Sequence, residues 1–393
     1  MNWDLIFALV FYGLLFLFFI TRREKFEVQW KVLALYKTRI GINLMGRISR
    51  IFPKFWEYLG YLGVFVGFAG MIFILFVIIS GTYKLLFIPD TLPPLAPLLP
   101  GVQIPGLPKL TFWYWIVVIF ILAVVHEFSH GLYSRLHGVR VKSSGFAFFG
   151  PILAAFVEPD ENELGKKSKM KQLSVFAAGA FSNIVLAVVA FLIYALLLTP
   201  IAFSINESVG VEVAELKEGF PAYSSGMKIG EEIIAVNGIE VNDAISFVNS
   251  LGNLKPRDKI IIETDANNYG IEAVSHPNNK SSGYLGMSVK SINVPTEEVV
   301  NKYGNFLPRV FTWIYFLFFW LYVANLGVGL FNLLPLGPVD GGKMFYVGAL
   351  AIFKNRKTAM KLLSYVSFFL FLLIVINLIP WISKLFLFLF ELF

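Results

Sequence analysis

Val117-Val-Ile-Phe-Ile-Leu-Ala-Val-Val-His126-Glu127-Phe128-Ser129-His130 is the stretch on which the reading of this chain turns. An unbroken apolar run leads into two histidines and a glutamate, and the first cation beyond them is Arg135. At a helical rise of ~1.5 Å per residue, His126 lies on the order of 14 Å along the axis from Arg135. Ionisable groups at such a depth are costly and are retained for function or for pairing. Residues i and i+4 share a helix face, so both imidazoles can reach one zinc ion. Glu127, beside the first histidine, is placed to take a proton from zinc-bound water. The five-residue pattern also arises by chance as decoration of a helix end; its apolar setting argues against that here.

Working outward, the whole chain has the same character. Of 393 residues, 57% are hydrophobic and only 15% are charged, and the mean hydropathy is +0.70. That balance indicates a multi-pass membrane protein in a lipid bilayer. The absence of cysteine excludes disulfides, thiolate metal sites and a cysteine nucleophile. The net charge of +7 is not a nucleic-acid signal, because the basic residues cluster between apolar runs as a topology signal does.

Apolar runs predict about six transmembrane helices, near residues 5–20, 61–79, 110–134, 173–198, 311–334 and 362–379. Asp4 precedes the first run and no small-residue cleavage site follows it, so a retained helix with its N-terminus outside is expected. The segment with Lys31, Lys37, Arg39, Arg47, Arg50 and Lys54, the loop with Lys166 to Lys171, and the stretch with Lys354 to Lys361 then all fall on the cytoplasmic side. Residues 89–108 are proline-rich and nearly uncharged, as in an outer interfacial or partly re-entrant loop. The tail 381–393 is expected in the interface. Residues 205–305 are mixed polar and apolar with Gly and Asn turns, and read as one small outer domain. The resulting division is 1–108, 109–200, 201–305 and 306–393, with the outer domain inserted into a membrane core.

Two histidines need a third protein ligand that leaves a position for water. Asp340 is the other conspicuous acid at a membrane boundary, in Asn332-Leu-Leu-Pro-Leu-Gly-Pro-Val-Asp340-Gly341-Gly342. It follows an inward-running helix and so reaches the same side as His126. The prolines and glycines free the backbone there, which membrane depth tolerates only where it lines a protein cavity. Taken alone, the stretch is also compatible with a plain helix end.

Together these two motifs, with Ala178-Gly-Ala-Phe-Ser-Asn183 between them, resemble the site-2 protease family of intramembrane zinc metalloproteases. The stretch Ala155-Phe-Val-Glu-Pro-Asp160 is similar to archaeal members, and the likeness runs over about 110–379. Gly337 stands where many relatives have proline. The resemblance implies one zinc per chain on His126, His130 and Asp340, with Glu127 as general base and then acid to the leaving amine. It implies that Asn183 and Asn332 position substrate or stabilise the oxyanion; an interhelical hydrogen bond is the alternative for each. It also implies a membrane-associated β-hairpin at 145–157, which is too short and glycine-broken to span; a plain interfacial loop is the alternative. Such a strand edge can take an unwound substrate by strand addition. Residues 218–241 resemble a PDZ domain, with a short helix after Pro221, an Asn237-Gly238 turn, and a helix at 243–251 beside a peptide groove. That domain either inspects the outer remnant of a substrate or serves as a rigid cap.

The expectation is therefore a multi-pass α-helical protein with a β-hairpin and an inserted small α+β PDZ-like domain. Its implied activity is cleavage of transmembrane segments of other proteins, pre-trimmed by another protease, near the cytoplasmic side. A non-proteolytic zinc-binding membrane protein, a transporter or a sensor, is the alternative; it would need ligands but no general base. The topology is tested by single cysteines in this cysteine-free chain. Labels at Ser168 and Asn355 should come only from the cytoplasm and at Asn279 only from outside; outside labelling of Ser168 inverts the arrangement.

Overall fold

The structure, a computed structural model, describes residues 3–29, 33–89, 91–149, 152–277 and 279–391. The remaining positions, among them the hairpin tip at 150–151 and the last two residues of the tail, lie outside that description. Six helices among the described residues are long and apolar enough to cross a membrane, in agreement with the hydropathy reading. The chain forms two compact units, residues 1–194 with 316–393, and residues 195–315.

In the first unit, helix α1 (Trp3–Thr21) precedes strands β1 (Phe26–Gln29) and β2 (Leu33–Thr38) and a short helix α2 (Ile42–Ile48). Helix α3 (Pro53–Phe87) opens with proline at its first position, where the missing N–H costs nothing. Helix α4 (Phe112–Leu136) carries the two histidines. Its exposed first amides are capped from α1: the Asp4 carboxylate accepts from Phe112 N at 2.9 Å and Trp113 N at 3.4 Å. An anion on the positive end of the helix dipole is stabilising. The proline-rich loop is held by tryptophans, with Trp115 Nε1 donating to the Leu98 carbonyl and Trp381 Nε1 to the Leu95 carbonyl.

Strands β3 (Val141–Phe149) and β4 (Ile152–Pro159) form the expected hairpin, but it is not isolated. The sheet is four-stranded and antiparallel, in the order β1-β2-β3-β4, which leaves β4 at an edge. Thr38 pairs with Ser144, and side-chain hydrogen bonds from Thr38 Oγ1 to the Ser144 carbonyl and from Ser144 Oγ to the Ile40 carbonyl stitch β2 to the hairpin. The basic segment after α1 therefore supplies half of the sheet, where the sequence reading had only a cytoplasmic connection.

Helix α5 (Glu161–Gly165) is capped by Asp160, whose Oδ1 accepts from Asn162 N and Glu163 N. The Glu163 N–H and the Lys142 ammonium hold that carboxyl below the usual carboxylate range. Helix α6 (Lys169–Leu192) returns against α4 and passes through a π-helical turn at Ile193–Leu198. On α3, Gly63 and Gly67 face Phe181 and Met344, so small residues let the neighbouring helices approach closely.

The second unit begins with α7 (Thr199–Ile205), β5 (Asn206–Leu216), α8 (Pro221–Ser224), β6 (Glu232–Val236), β7 (Ile239–Glu240) and α9 (Ala244–Leu251). Strands β8 (Lys259–Thr264), β9 (Asn268–Glu272), β10 (Val274–His276), β11 (Asn279–Tyr284) and β12 (Met287–Pro295) follow, then α10 (Glu297–Tyr303). Asn237 and Gly238 both have positive φ, 51° and 75°, as the tight turn between β6 and β7 requires. Asp243 caps α9 in a reciprocal capping box with Ser246. The main sheet runs β12-β5-β6-β8-β9, over a core that includes Val211, Val213, Ile233, Val236, Phe247 and Ile262.

Helix α11 (Phe306–Asn332) ends before a tight loop, and α12 (Asp340–Phe353) starts at Asp340 itself. The sequence predicts no helix at α12, where Gly341 and Gly342 read as breakers. They instead admit close packing, since a Cβ on Gly341 or Gly342 would strike the backbone carbonyls of Leu333, Leu334 and Leu336. Helix α13 (Arg356–Glu391) continues through Pro380, so the expected separate tail after residue 379 extends the last helix.

Candidate metal centre

Helices α4 and α6 build most of the site. On α4, His126 and His130 are one turn apart, each 9% exposed, with rings in edge contact at 4.8 Å between centroids. On α6, Val175, Gly179 and Asn183 recur at four-residue spacing and so share the facing stripe. The Val175 carbonyl lies 2.8 Å from His130 Nδ1. A carbonyl only accepts, so Nδ1 holds the ring proton and Nε2 presents its lone pair inward. The Asn183 Nδ2 lies 3.2 Å from His126 Nδ1, its side chain is fully buried, and its Oδ1 has no partner among the described residues.

Asp340 completes the cluster from the first turn of α12. Its Oδ2 lies 3.1 Å from His126 Nε2 and 3.0 Å from His130 Nε2, and the two Nε2 atoms are 3.2 Å apart. Tetrahedral zinc with bonds of ~2.0–2.1 Å sets its donors roughly 3.3–3.4 Å apart, so the cluster is close to a ready coordination face. Gly179 leaves the space. A Cβ at that position would fall on the Nε2 atoms of both histidines, nearer than carbon tolerates. Two imidazoles and a carboxylate, cradled by a glycine, could hold one zinc ion and leave a further position for water.

Glu127 points to the sheet side. Its Oε2 accepts from the Val157 amide of β4 at 2.9 Å. An apolar cleft of about 140 Å³ adjoins it, lined by Met45, Val124, Phe128, Gly145 and Phe156 among others. Asn332 ends α11, half-buried, and its side chain makes no hydrogen bond among the described residues. The structure thus brings His126, His130, Asp340 and Asn183 into one contact set, with Glu127 beside it. Gly179 and the Val175 carbonyl are parts that sequence reasoning did not assign. The four-residue spacing on α6 was the available signal for both.

The sequence model of Peptidase family M50 matches residues 114–376, which contain His126, Glu127, His130, Val175, Gly179, Asn183, Asn332 and Asp340. The chain belongs to Peptidase family M50, the site-2 protease family. An uncharacterized protein of Methanocaldococcus jannaschii is 25% identical over 319 residues, covering 79% of this chain and 76% of its own length. Membrane metalloprotease ARASP of Arabidopsis thaliana is 25% identical over 236 residues, 51% of each chain. Zinc metalloprotease RasP of Geobacillus kaustophilus is 22% identical over 272 residues, 58% of this chain and 63% of its own. The chain thus spans about half the length of the plant relative and most of the archaeal one. As an M50 member with this donor cluster, the protein is a multi-span membrane metalloprotease whose cofactor is zinc.

Gly179→Ala should lower the zinc content of the purified protein at least tenfold, because the added methyl takes the metal's place. Gly165→Ala, where a Cβ meets nothing within 4 Å, should keep its zinc. Metal analysis of both variants checks this; full zinc in Gly179→Ala would mean that the ion sits elsewhere.

Proposed function

We propose that this M50 protease hydrolyses peptide bonds in the transmembrane segments of other membrane proteins, on the cytoplasmic side of the bilayer. The observation that carries the reading is that both histidines lie within a spanning helix, with Asp340 brought to them, beside an apolar cleft and a sheet edge. A soluble-chain protease needs neither an apolar approach nor a buried centre.

In this reading His126, His130 and Asp340 hold zinc. Zinc, when bound, polarises the scissile carbonyl and acidifies a water molecule. Glu127 takes the proton of the attacking water and passes it to the leaving amine. A helical substrate hides its carbonyls in its own hydrogen bonds, so it must unwind first. The free edge of β4 offers backbone groups to the unwound segment, and the apolar cleft takes its side chains. Glu127 already bonds the Val157 amide on that strand, so the edge leads a paired substrate toward the general base. A transporter or sensor would have no use for that arrangement.

The two asparagines divide. Asn332, unbonded at the end of α11, remains the residue for a substrate carbonyl or the oxyanion. Asn183 is read differently from the sequence expectation: a histidine that binds metal through Nε2 carries its proton on Nδ1, and the Asn183 carboxamide, turned to bring its unpartnered Oδ1 where Nδ2 now lies, supplies the acceptor for it. Its oxygen and nitrogen exchange by a half-turn. In the second unit α9 lies beside edge strand β12; we read this pair as a PDZ-like peptide groove that, on the outer side, filters substrates already trimmed by another protease.

Two results test this. Glu127→Gln should keep its zinc and lose about 10²–10⁴-fold in cleavage of a membrane-anchored reporter; undiminished cleavage removes Glu127 as the base. Asn183→Leu should weaken zinc binding about 10–100-fold, whereas Asn183→Asp, which keeps an acceptor, should restore much of it. An oxyanion role would instead leave zinc affinity unchanged in both variants.

A further inference from the structure

A second polar cleft lies at the end of α4 where the helix leaves its apolar stretch. It has a volume of about 600 Å³ and is lined by Arg39, Ile42, Asn43, Arg135, Arg140, Val141 and Lys142. Four cations line it and no carboxylate does. An adjoining cleft adds Arg50 along the same wall. Compensation on this face comes from Asp160, whose Oδ2 lies 3.4 Å from both Arg140 and Lys142, and from Glu163, which lines the adjoining cleft and accepts from the Arg140 N–H. Arg39 and Arg135 make no ion pair among the described residues, and the Asn43 side chain makes no hydrogen bond there. Several like charges lining one cleft repel one another, so an anion that enters is stabilised by all of them.

The flanks of the cleft are apolar. Ile40 is 73% exposed and Leu44 52%, just beside Arg39 and Asn43, and Ile51 and Phe52 extend the same surface past α2. A free phosphate would find cations but no use for that surface. A glycerophospholipid satisfies both, with its phosphate among the guanidinium groups and its chains over Ile40 and Leu44. Arginine forks match phosphate oxygens in pairs.

We propose that this cleft binds the phosphate of an anionic phospholipid headgroup and so clamps α2 to the end of α4. The clamp bears on the protease site. Met45, on the inner face of α2, is buried against Gly131 of α4 and walls the apolar cleft at Glu127. A headgroup held between Arg39 and Asn43 on one side and Arg135 on the other therefore fixes that wall.

The test uses the full chain in detergent, relipidated with phosphatidylglycerol or phosphatidylcholine, with retained lipid read by native mass spectrometry. The variants are Arg39→Gln with Lys142→Gln, both exposed side chains, and a charge-matched control, Lys166→Gln with Lys167→Gln. The cleft variant should lose about twenty-five-fold in phosphatidylglycerol affinity, two factors of about five, and the control should lose little. Phosphatidylcholine should bind weakly to all three proteins. Arg135→Gln, with zinc content as the check on folding, should lose about fivefold, one such factor. Equal losses in the cleft and control variants would overturn the proposal, because general surface charge would then explain the retention. Displacement of phosphatidylglycerol by inorganic phosphate at equal concentration would also overturn it, and would assign the cleft to a soluble anion.

Discussion

A divalent cation within a bundle of apolar helices must have its lost hydration replaced by donors that the fold already holds in place. The contact between α4 and α6 meets that constraint, and the rest of the membrane unit is arranged around it. His126 and His130 present two nitrogens from one face, and Val175, Gly179 and Asn183 meet them from the facing stripe. Gly179 keeps open a space that any larger residue would fill. The Val175 carbonyl fixes the ring of His130, so its inward lone pair is set before a metal arrives. The third donor comes from far along the chain, on α12, and depends on the glycine pair that lets α12 pack under the loop from Leu333 to Val339.

That dependence explains why the chain spends so many small residues on helix faces. Gly60, Gly63 and Gly67 of α3 are buried, and the nearest side chains to them are Tyr133, Phe181 and Met344. Met344 lies one turn beyond Asp340 on α12. Close helix approach on α3 therefore holds the helix that carries the third donor. The Asp4 cap acts on the other partner, fixing the start of α4 through its first amides. None of these residues touches the metal position, yet each sets where a donor sits.

Much of this was legible in the sequence, for a physical reason. The candidate zinc donors His126, His130 and Asp340 and the candidate base Glu127 are polar residues in apolar surroundings, and their expense makes them conspicuous. The six spans follow from hydropathy, and the Asn237-Gly238 turn from the demand for positive φ. The parts that were not legible involve backbone or absence. Gly179 acts by lacking a side chain, and Val175 acts through its carbonyl, so neither leaves a chemical signature. Strands β1 and β2 are short and sit among charged residues, and their stability comes from pairing with residues 144–149, more than a hundred positions away. Helix α12 was hidden because Gly341 and Gly342 disfavour a helix locally, and only the tertiary packing under the preceding loop explains their presence. Pro380 misled in the same way: α13 continues through a residue that ordinarily ends a helix.

The central claim is that His126, His130 and Asp340 form one zinc site with room for a further ligand. X-ray absorption at the zinc edge of the purified protein tests it most directly. The account predicts a first shell of about four nitrogen and oxygen atoms at roughly 2.0–2.1 Å, with the outer-shell scattering of two imidazoles, and the loss of one imidazole in His130→Ala. A shell without imidazole scattering, or one unchanged in His130→Ala, would contradict it.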